Sequence, residues 1–106
     1  MNSLPPDLDP SVRAVAWIGD AVLALYVREW ILSFNHDRMD GEIFTALTSN
    51  QFLRLIGNAT GVEAQIGNAY RQGGITGAYA WIDSELRPRM EERLHIIRAQ
   101  RSGKKK

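Results

Sequence analysis

The sequence predicts an all-α domain, and three observations support this prediction. The longest apolar stretch, Val12–Phe34, repeats its hydrophobic residues every three to four positions, which is the spacing of a helix face. No stretch shows the strict alternation of a half-buried strand. A chain of 106 residues is large enough for one hydrophobic core but not for two.

The first and longest helix is expected to begin at Asp9-Pro10 and to continue to about Ser33. An aspartate caps exposed backbone N–H groups, and proline suits the first helical position. Between Ala14 and Val27 the helix is apolar over most of its circumference. We therefore expect it to be buried on several sides, one of them against a second subunit.

Shorter helices follow a polar connection at residues 35–39. Their expected ranges are Glu42–Leu47, Gln51–Asn58, Val62–Gln72 and Ile75–Arg101. Gly61 is expected to end one region, and Gly73-Gly74 is a strong helix stop. Pro88 predicts either a kink in the last segment or a new helix that begins there. The total is five or six helices.

Three regions are expected along the chain. Residues 1–9 are an irregular lead-in, residues 10–101 form a single helical domain, and residues 102–106 form a basic, disordered tail. The net charge is only +1, but arginine and lysine predominate after Glu85. Such a basic end can contact phosphate groups, although it is also typical of a solvated helix end.

Composition excludes several classes of protein. There is no cysteine, which excludes disulfide frameworks, thiolate zinc sites and cysteine nucleophiles. The N-terminus has no basic start followed by an apolar run, so no signal peptide is expected. Asp20, Arg28 and Glu29 interrupt the long apolar helix, and this rules out a membrane span. We expect a cytoplasmic protein that does not bind membranes.

The centre of the long helix carries a motif. Residues 16–23 read AWIGDAVL, which resembles the signature helix of the ribonuclease III family, and Tyr26-Val27-Arg28 resembles its mini-ribonuclease III branch, which lacks a separate double-stranded-RNA-binding domain. A second match follows at residues 40–50, which look like the family's acidic-Gly-acidic turn and the helix after it. The two matches lie in the family's order and cover roughly residues 10–60.

The resemblance implies a shortened ribonuclease III endonuclease domain, a homodimer, and magnesium-dependent cleavage of structured or double-stranded RNA, with no role in binding DNA. It implies that Asp20 is a metal ligand and catalytic residue, and that Asp40 and Glu42 are further catalytic candidates. Carboxylates are needed there because magnesium prefers oxygen ligands and activates water for phosphodiester hydrolysis.

Some positions depart from the family pattern. Ala16 and Arg13 stand where the family has carboxylates. The family's late motif, acid-x-x-Glu-Ala-Leu-Ile-Gly-Ala, finds its best match at Ile75–Ala78, which places Gly73 at its glutamate and Tyr70 at its aspartate. A metal site at Asp20 would then need other acids. The candidates are Glu63, Asp83 and Glu85, which a fold different from that of the family could bring to Asp20.

Each candidate site also has a structural interpretation. Asp20 in an apolar helix is explained equally by an ion pair with an arginine. Asp40 and Glu42 are explained by a helix start with acids in its first turn. The tryptophans are expected to be core or interface anchors, and both histidines to lie at the surface. Three functions therefore remain open: an active ribonuclease, an inactive descendant that serves as an RNA-binding, ribosome-associated or dimeric scaffold protein, or a small helical dimer with no role in RNA binding.

Overall fold

The computed structural model describes residues 9–104, and all the described elements are α-helices. They are α1 (Pro10–Phe34), α2 (Gly41–Thr48), α3 (Asn50–Leu53), α4 (Ala59–Glu85) and α5 (Arg87–Lys104). Residues 1–8, most of the expected lead-in, lie outside the described range, as do residues 105–106 of the expected tail. None of the described helices combines the length and hydrophobicity that a membrane span requires.

Helix α1 forms where the sequence predicts it. The Asp9 side chain caps it by accepting a hydrogen bond from the Ser11 N–H at 2.9 Å, and Pro10 occupies its first position. One side of α1 is buried, with Leu23, Val27 and Ile31 almost completely covered. The opposite side is exposed, so within one chain the helix is not buried all round.

Helix α4 is a hairpin of two half-helices, residues 59–73 and 75–85. Gly74, with φ +67° and ψ −162°, reverses the chain between them. A Cβ on Gly77 would lie 3.1 Å from the carbonyl oxygen of Ala69. Eight residues of straight helix would separate these positions by about 12 Å. The halves therefore run antiparallel, and the predicted stop at Gly73-Gly74 is confirmed as a turn.

The region before α4 differs from the expectation of a helix over Gln51–Asn58. Helix α3 ends at Leu53, because the next amides bond to carbonyls only three residues back, as Leu55 N does to Phe52 O at 3.0 Å. Asn58 then caps α4 by accepting from the Gly61 N–H at 2.9 Å. Gly61 therefore lies in the first turn of α4 and does not end a helix.

The core lies where α1, α2 and α3 meet both halves of α4 and the start of α5. Its fully buried side chains are Leu23, Val27, Leu47, Phe52, Leu53, Ile66, Ile82, Leu86 and Met90. The chain breaks at Leu86, and Pro88 falls in the first turn of α5, as one of the two sequence alternatives predicts. Helix α5 extends to Lys104, so the first residues of the expected tail are helical.

Candidate functional site

Two glycines allow α1 and the first half of α4 to touch. A Cβ added to Gly19 would lie 1.8 Å from the carbonyl oxygen of Glu63, and one added to Gly67 would lie 2.1 Å from that of Val15. Any side chain at either position would push the backbones apart. The glycine of the Gly-Asp motif therefore has a packing role, and the crossing brings Asp20 next to Glu63.

Asp20 and Glu63 form a carboxyl pair at this crossing. Asp20 is exposed, and Glu63 is partly buried. Burial, reinforced by a hydrogen bond to Asp20 and by the charge of Asp20, raises the pKa of Glu63 from 4.5 to about 7. Burial and the neighbouring Asp20 carboxylate both disfavour the charged form of Glu63, because like charges at close range oppose its ionisation.

The pair opens into a pocket of about 590 Å³ between α1 and the start of α4. The pocket is lined by Pro10, Arg13, Ala14, Ala16, Trp17, Asp20, Thr60 and Glu63. The Trp17 side chain is 80% exposed, so it is not part of the core of the chain. Ala16, one turn before Asp20, leaves space where a longer side chain would fill the pocket.

Asp40 and Glu42 do not lie beside Asp20. Asp40 caps α2 by accepting from the Ile43 N–H at 3.0 Å, and both acids bind Arg101 near the end of α5, at 2.9 Å and 2.6 Å. Asp40 also lines a hollow next to Arg28. Arg28 lies about 12 Å along α1 from Asp20, at 1.5 Å per residue. The structure therefore places Asp40 and Glu42 in ion pairs with Arg101, and it does not bring them into the pocket of Asp20.

Two other acids considered from the sequence also have partners elsewhere. Asp83 accepts a short hydrogen bond from the Tyr26 hydroxyl, which in turn accepts one from Arg87 Nη1 at 2.7 Å. Burial, followed by the bond to Asp83, raises the pKa of Tyr26 to about 12. Glu85 lines a separate hollow with Trp81. Of the three alternatives, only Glu63 joins Asp20.

A match of the late motif at Ile75–Ala78 does not include Glu63. Residues 63–67 read Glu-Ala-Gln-Ile-Gly, which has four of the five residues of the Glu-Ala-Leu-Ile-Gly segment, so the sequence also offers a match that contains Glu63. The acid expected three residues before Glu63 is replaced by Thr60.

The carboxyl pair supplies two of the oxygen ligands that a single magnesium ion would take. Magnesium is typically bound by one or two protein carboxylates, with waters and substrate phosphate oxygens filling the other positions. Asp20 and Glu63 supply two carboxylates, and the Thr60 hydroxyl lines the same pocket. Among residues 9–103, no group of three or more acidic, histidine or cysteine side chains converges in a geometry suited to a metal ion.

Comparisons with protein-family models, curated proteins and solved structures gave no significant match for this chain.

Proposed function

We propose that this chain is a ribonuclease III-like protein that binds structured or double-stranded RNA and cleaves it with magnesium. The observation that carries the proposal is the pairing of Asp20 with Glu63 at an open pocket. Two separate sequence matches, the Gly-Asp motif on α1 and the Glu-Ala-x-Ile-Gly motif on α4, contribute one carboxylate each. Their meeting at one crossing supports a common origin as a metal site.

Residues around the pocket place the two carboxyl groups that this reaction requires. The close approach of α1 and α4 at Gly19 and Gly67 keeps the two carboxyl groups side by side, and Glu63 would lose its proton on binding a cation. A bound magnesium ion would activate the attacking water and stabilise the leaving oxygen. Asp20 is exposed, and within residues 9–104 this leaves room for a phosphate group beside it.

A second candidate function is an inactive RNA-binding or ribosome-associated scaffold. The small number of carboxylates favours it, since two acids hold one magnesium ion whereas many phosphodiester hydrolases use two metal ions. The substitution of Ala16 for the family's carboxylate points in the same direction. In this alternative the pocket binds RNA but does not hydrolyse it.

A homodimer formed through α1 is part of the same proposal, as is a cytoplasmic location. The exposed side of α1, which also carries Arg28, includes an apolar stripe of Trp17 at 80%, Leu25 at 43% and the exposed small residues Ala14 and Ala21. These four residues follow a spacing of three to four, so they share one face of the helix. An aromatic residue within an apolar stripe is typical of an interface core.

The decisive assay is incubation with long double-stranded RNA and magnesium. We expect cleavage by the wild type and a loss of about 100-fold or more in Asp20→Asn and in Glu63→Gln, because each removes a metal ligand. Asp37→Asn, an exposed acid in the turn after α1, is the matched control and should cleave normally.

Other outcomes separate the two candidate functions. Cleavage that survives Asp20→Asn would remove this site assignment. An absence of cleavage, together with saturable and salt-sensitive RNA binding, would favour the scaffold. An absence of both would exclude both functions.

A further inference from the structure

Arg13 lies at the far end of the pocket that contains the carboxyl pair. It precedes Asp20 by seven residues, which is two helical turns or about 10 Å along α1 on nearly the same face. Both side chains line the pocket of about 590 Å³, and both are exposed. The pocket therefore has a positive end and a negative end.

Among residues 9–104, no acid forms an ion pair with the Arg13 guanidinium. The acid four residues before it, Asp9, directs its Oδ1 to Ser11, where it accepts from both the N–H and the hydroxyl, at 2.9 and 2.8 Å. The neighbours of Arg13 on the following turn, Ala16 and Trp17, carry no charge. Within the described part of the chain, no carboxylate lies within salt-bridge distance of Arg13.

The charge distribution of the pocket suits a bound strand of nucleic acid. A cation held by Asp20 and Glu63 would attract one phosphate group, and the guanidinium of Arg13 would attract another. Arginine is well suited to this role because its planar donors bind two phosphate oxygens at once. A separation of about 10 Å slightly exceeds the Debye length in physiological salt, so Arg13 and the carboxyl pair interact only weakly with each other.

We propose that Arg13 is an RNA-binding residue that holds a backbone phosphodiester of the bound strand next to the one positioned at Asp20 and Glu63. This inference rests on the proposed function, and it assigns a specific contact on the substrate to a residue outside the carboxyl pair. It places the bound strand along α1, from the carboxyl pair toward the N-terminus of the helix.

Binding of a double-stranded RNA oligonucleotide tests this inference without any catalysis. Fluorescence anisotropy is measured in EDTA over a range of KCl concentrations for the wild type, Arg13→Gln, Arg13→Lys and the control Arg38→Gln. Arg38 is an exposed arginine in the turn after α1, beyond the end of the helix opposite to Arg13. Circular dichroism confirms that each variant is folded.

The expected result is specific to a phosphate contact. Arg13→Gln binds RNA roughly tenfold more weakly near 0.1 M salt, and the slope of log affinity against log salt falls by about 1. Arg13→Lys, which keeps the charge but not the paired donors, retains the slope and recovers part of the affinity. Arg38→Gln matches the wild type. A side chain with a merely structural role would not change the salt slope.

Two different results would overturn the inference, and only the second would also overturn the proposed function. If Arg13→Gln keeps the affinity and salt slope of the wild type while the wild type binds and cleaves RNA, Arg13 makes no phosphate contact and the proposed function stands. If the wild type binds no RNA in EDTA and neither binds nor cleaves it with magnesium, the proposed function fails and this inference fails with it.

Discussion

The position of Asp20 at the surface changes how this acid is explained. In the sequence it interrupts an apolar helix, where an ionised carboxylate is costly unless it has a partner. In the structure it lies at the edge of the buried side, exposed to solvent and next to Glu63. No arginine neutralises it within the described chain. A carboxylate whose nearest ionisable neighbour is another carboxyl group has the arrangement of a cation site.

Asp40 provides a contrast, because its neighbour is an arginine. The bond from Arg101 keeps the pKa of Asp40 below its usual value, and the carboxylate also caps α2. We expect Asp40→Ala to lower the free energy of unfolding by about 1–2 kcal/mol, mainly through loss of the cap, and to leave RNA cleavage unchanged. Urea denaturation and the cleavage assay measure the two effects.

The control for this prediction is Glu42→Gln. Glu42 is 74% exposed at its side chain, so losing its bond to Arg101 should change the stability by less than about 0.5 kcal/mol. A variant of Asp40 that folds with normal stability but no longer cleaves RNA would show that Asp40 has a catalytic role.

At the level of secondary structure, the crossing of α1 and α4 determines the site. We expect Gly19→Ala to destabilise the fold by about 3 kcal/mol or more, because its Cβ would overlap the Glu63 carbonyl oxygen and force the helices apart. Thermal or urea unfolding measures the change. Gly41→Ala is the matched control, since an added Cβ there has no neighbour within 4 Å, and it should unfold like the wild type or slightly later. If Gly19→Ala and Gly41→Ala change the free energy of unfolding equally, α1 and α4 do not approach each other closely at Gly19.

The sequence was sufficient to predict the helices but only half of the site. Local signals determine where these elements begin and turn. Asp9 and Pro10 begin α1, Asp40 begins α2, and Gly74 turns the chain within α4. Asp20 was identified from its local motif. Its partner Glu63 lies 43 positions away in the Glu-Ala-Gln-Ile-Gly segment, and only the packing of Gly19 against Gly67 shows that the two acids meet.

The range Gln51–Asn58 illustrates the same limit within an element. Its residues include Phe52, Leu53, Leu55 and Ile56, and this apolar content predicts a continuous helix. The chain instead leaves the helix after Leu53, because Asn58 offers a strong cap for the longer helix α4. The end of α3 therefore depends on the start of the neighbouring helix α4 and not only on the composition of residues 51–58.

At the level of the whole molecule, the described helices pack into one all-helical globule with a radius of gyration of 15.1 Å. The exposed stripe of Trp17 and Leu25 lies on the helix that organises the core. The proposed pairing with a second copy rests on this exposed stripe.

We therefore expect a dimer by sedimentation velocity at micromolar concentration. Leu25→Asp places a charge within the apolar stripe and should shift the protein to a monomer, because an unpaired charge buried in an interface is strongly unfavourable. Ile96→Asp, at an exposed apolar residue of α5 outside this stripe, is the control and should leave the dimer intact. A monomeric wild type would contradict the pairing through α1.

Calorimetric titration with magnesium at pH 6, 7 and 8 measures whether Asp20 and Glu63 together hold one magnesium ion. Because the pKa of Glu63 is raised to about 7, the ion must displace a proton at low pH, so the affinity should rise with pH up to about 8 and then level off. We expect one ion per chain, a pH-dependent affinity, and loss of binding in Asp20→Asn and Glu63→Gln. A wild type that binds no magnesium, or binding that survives both substitutions, would show that the carboxyl pair is not a metal site.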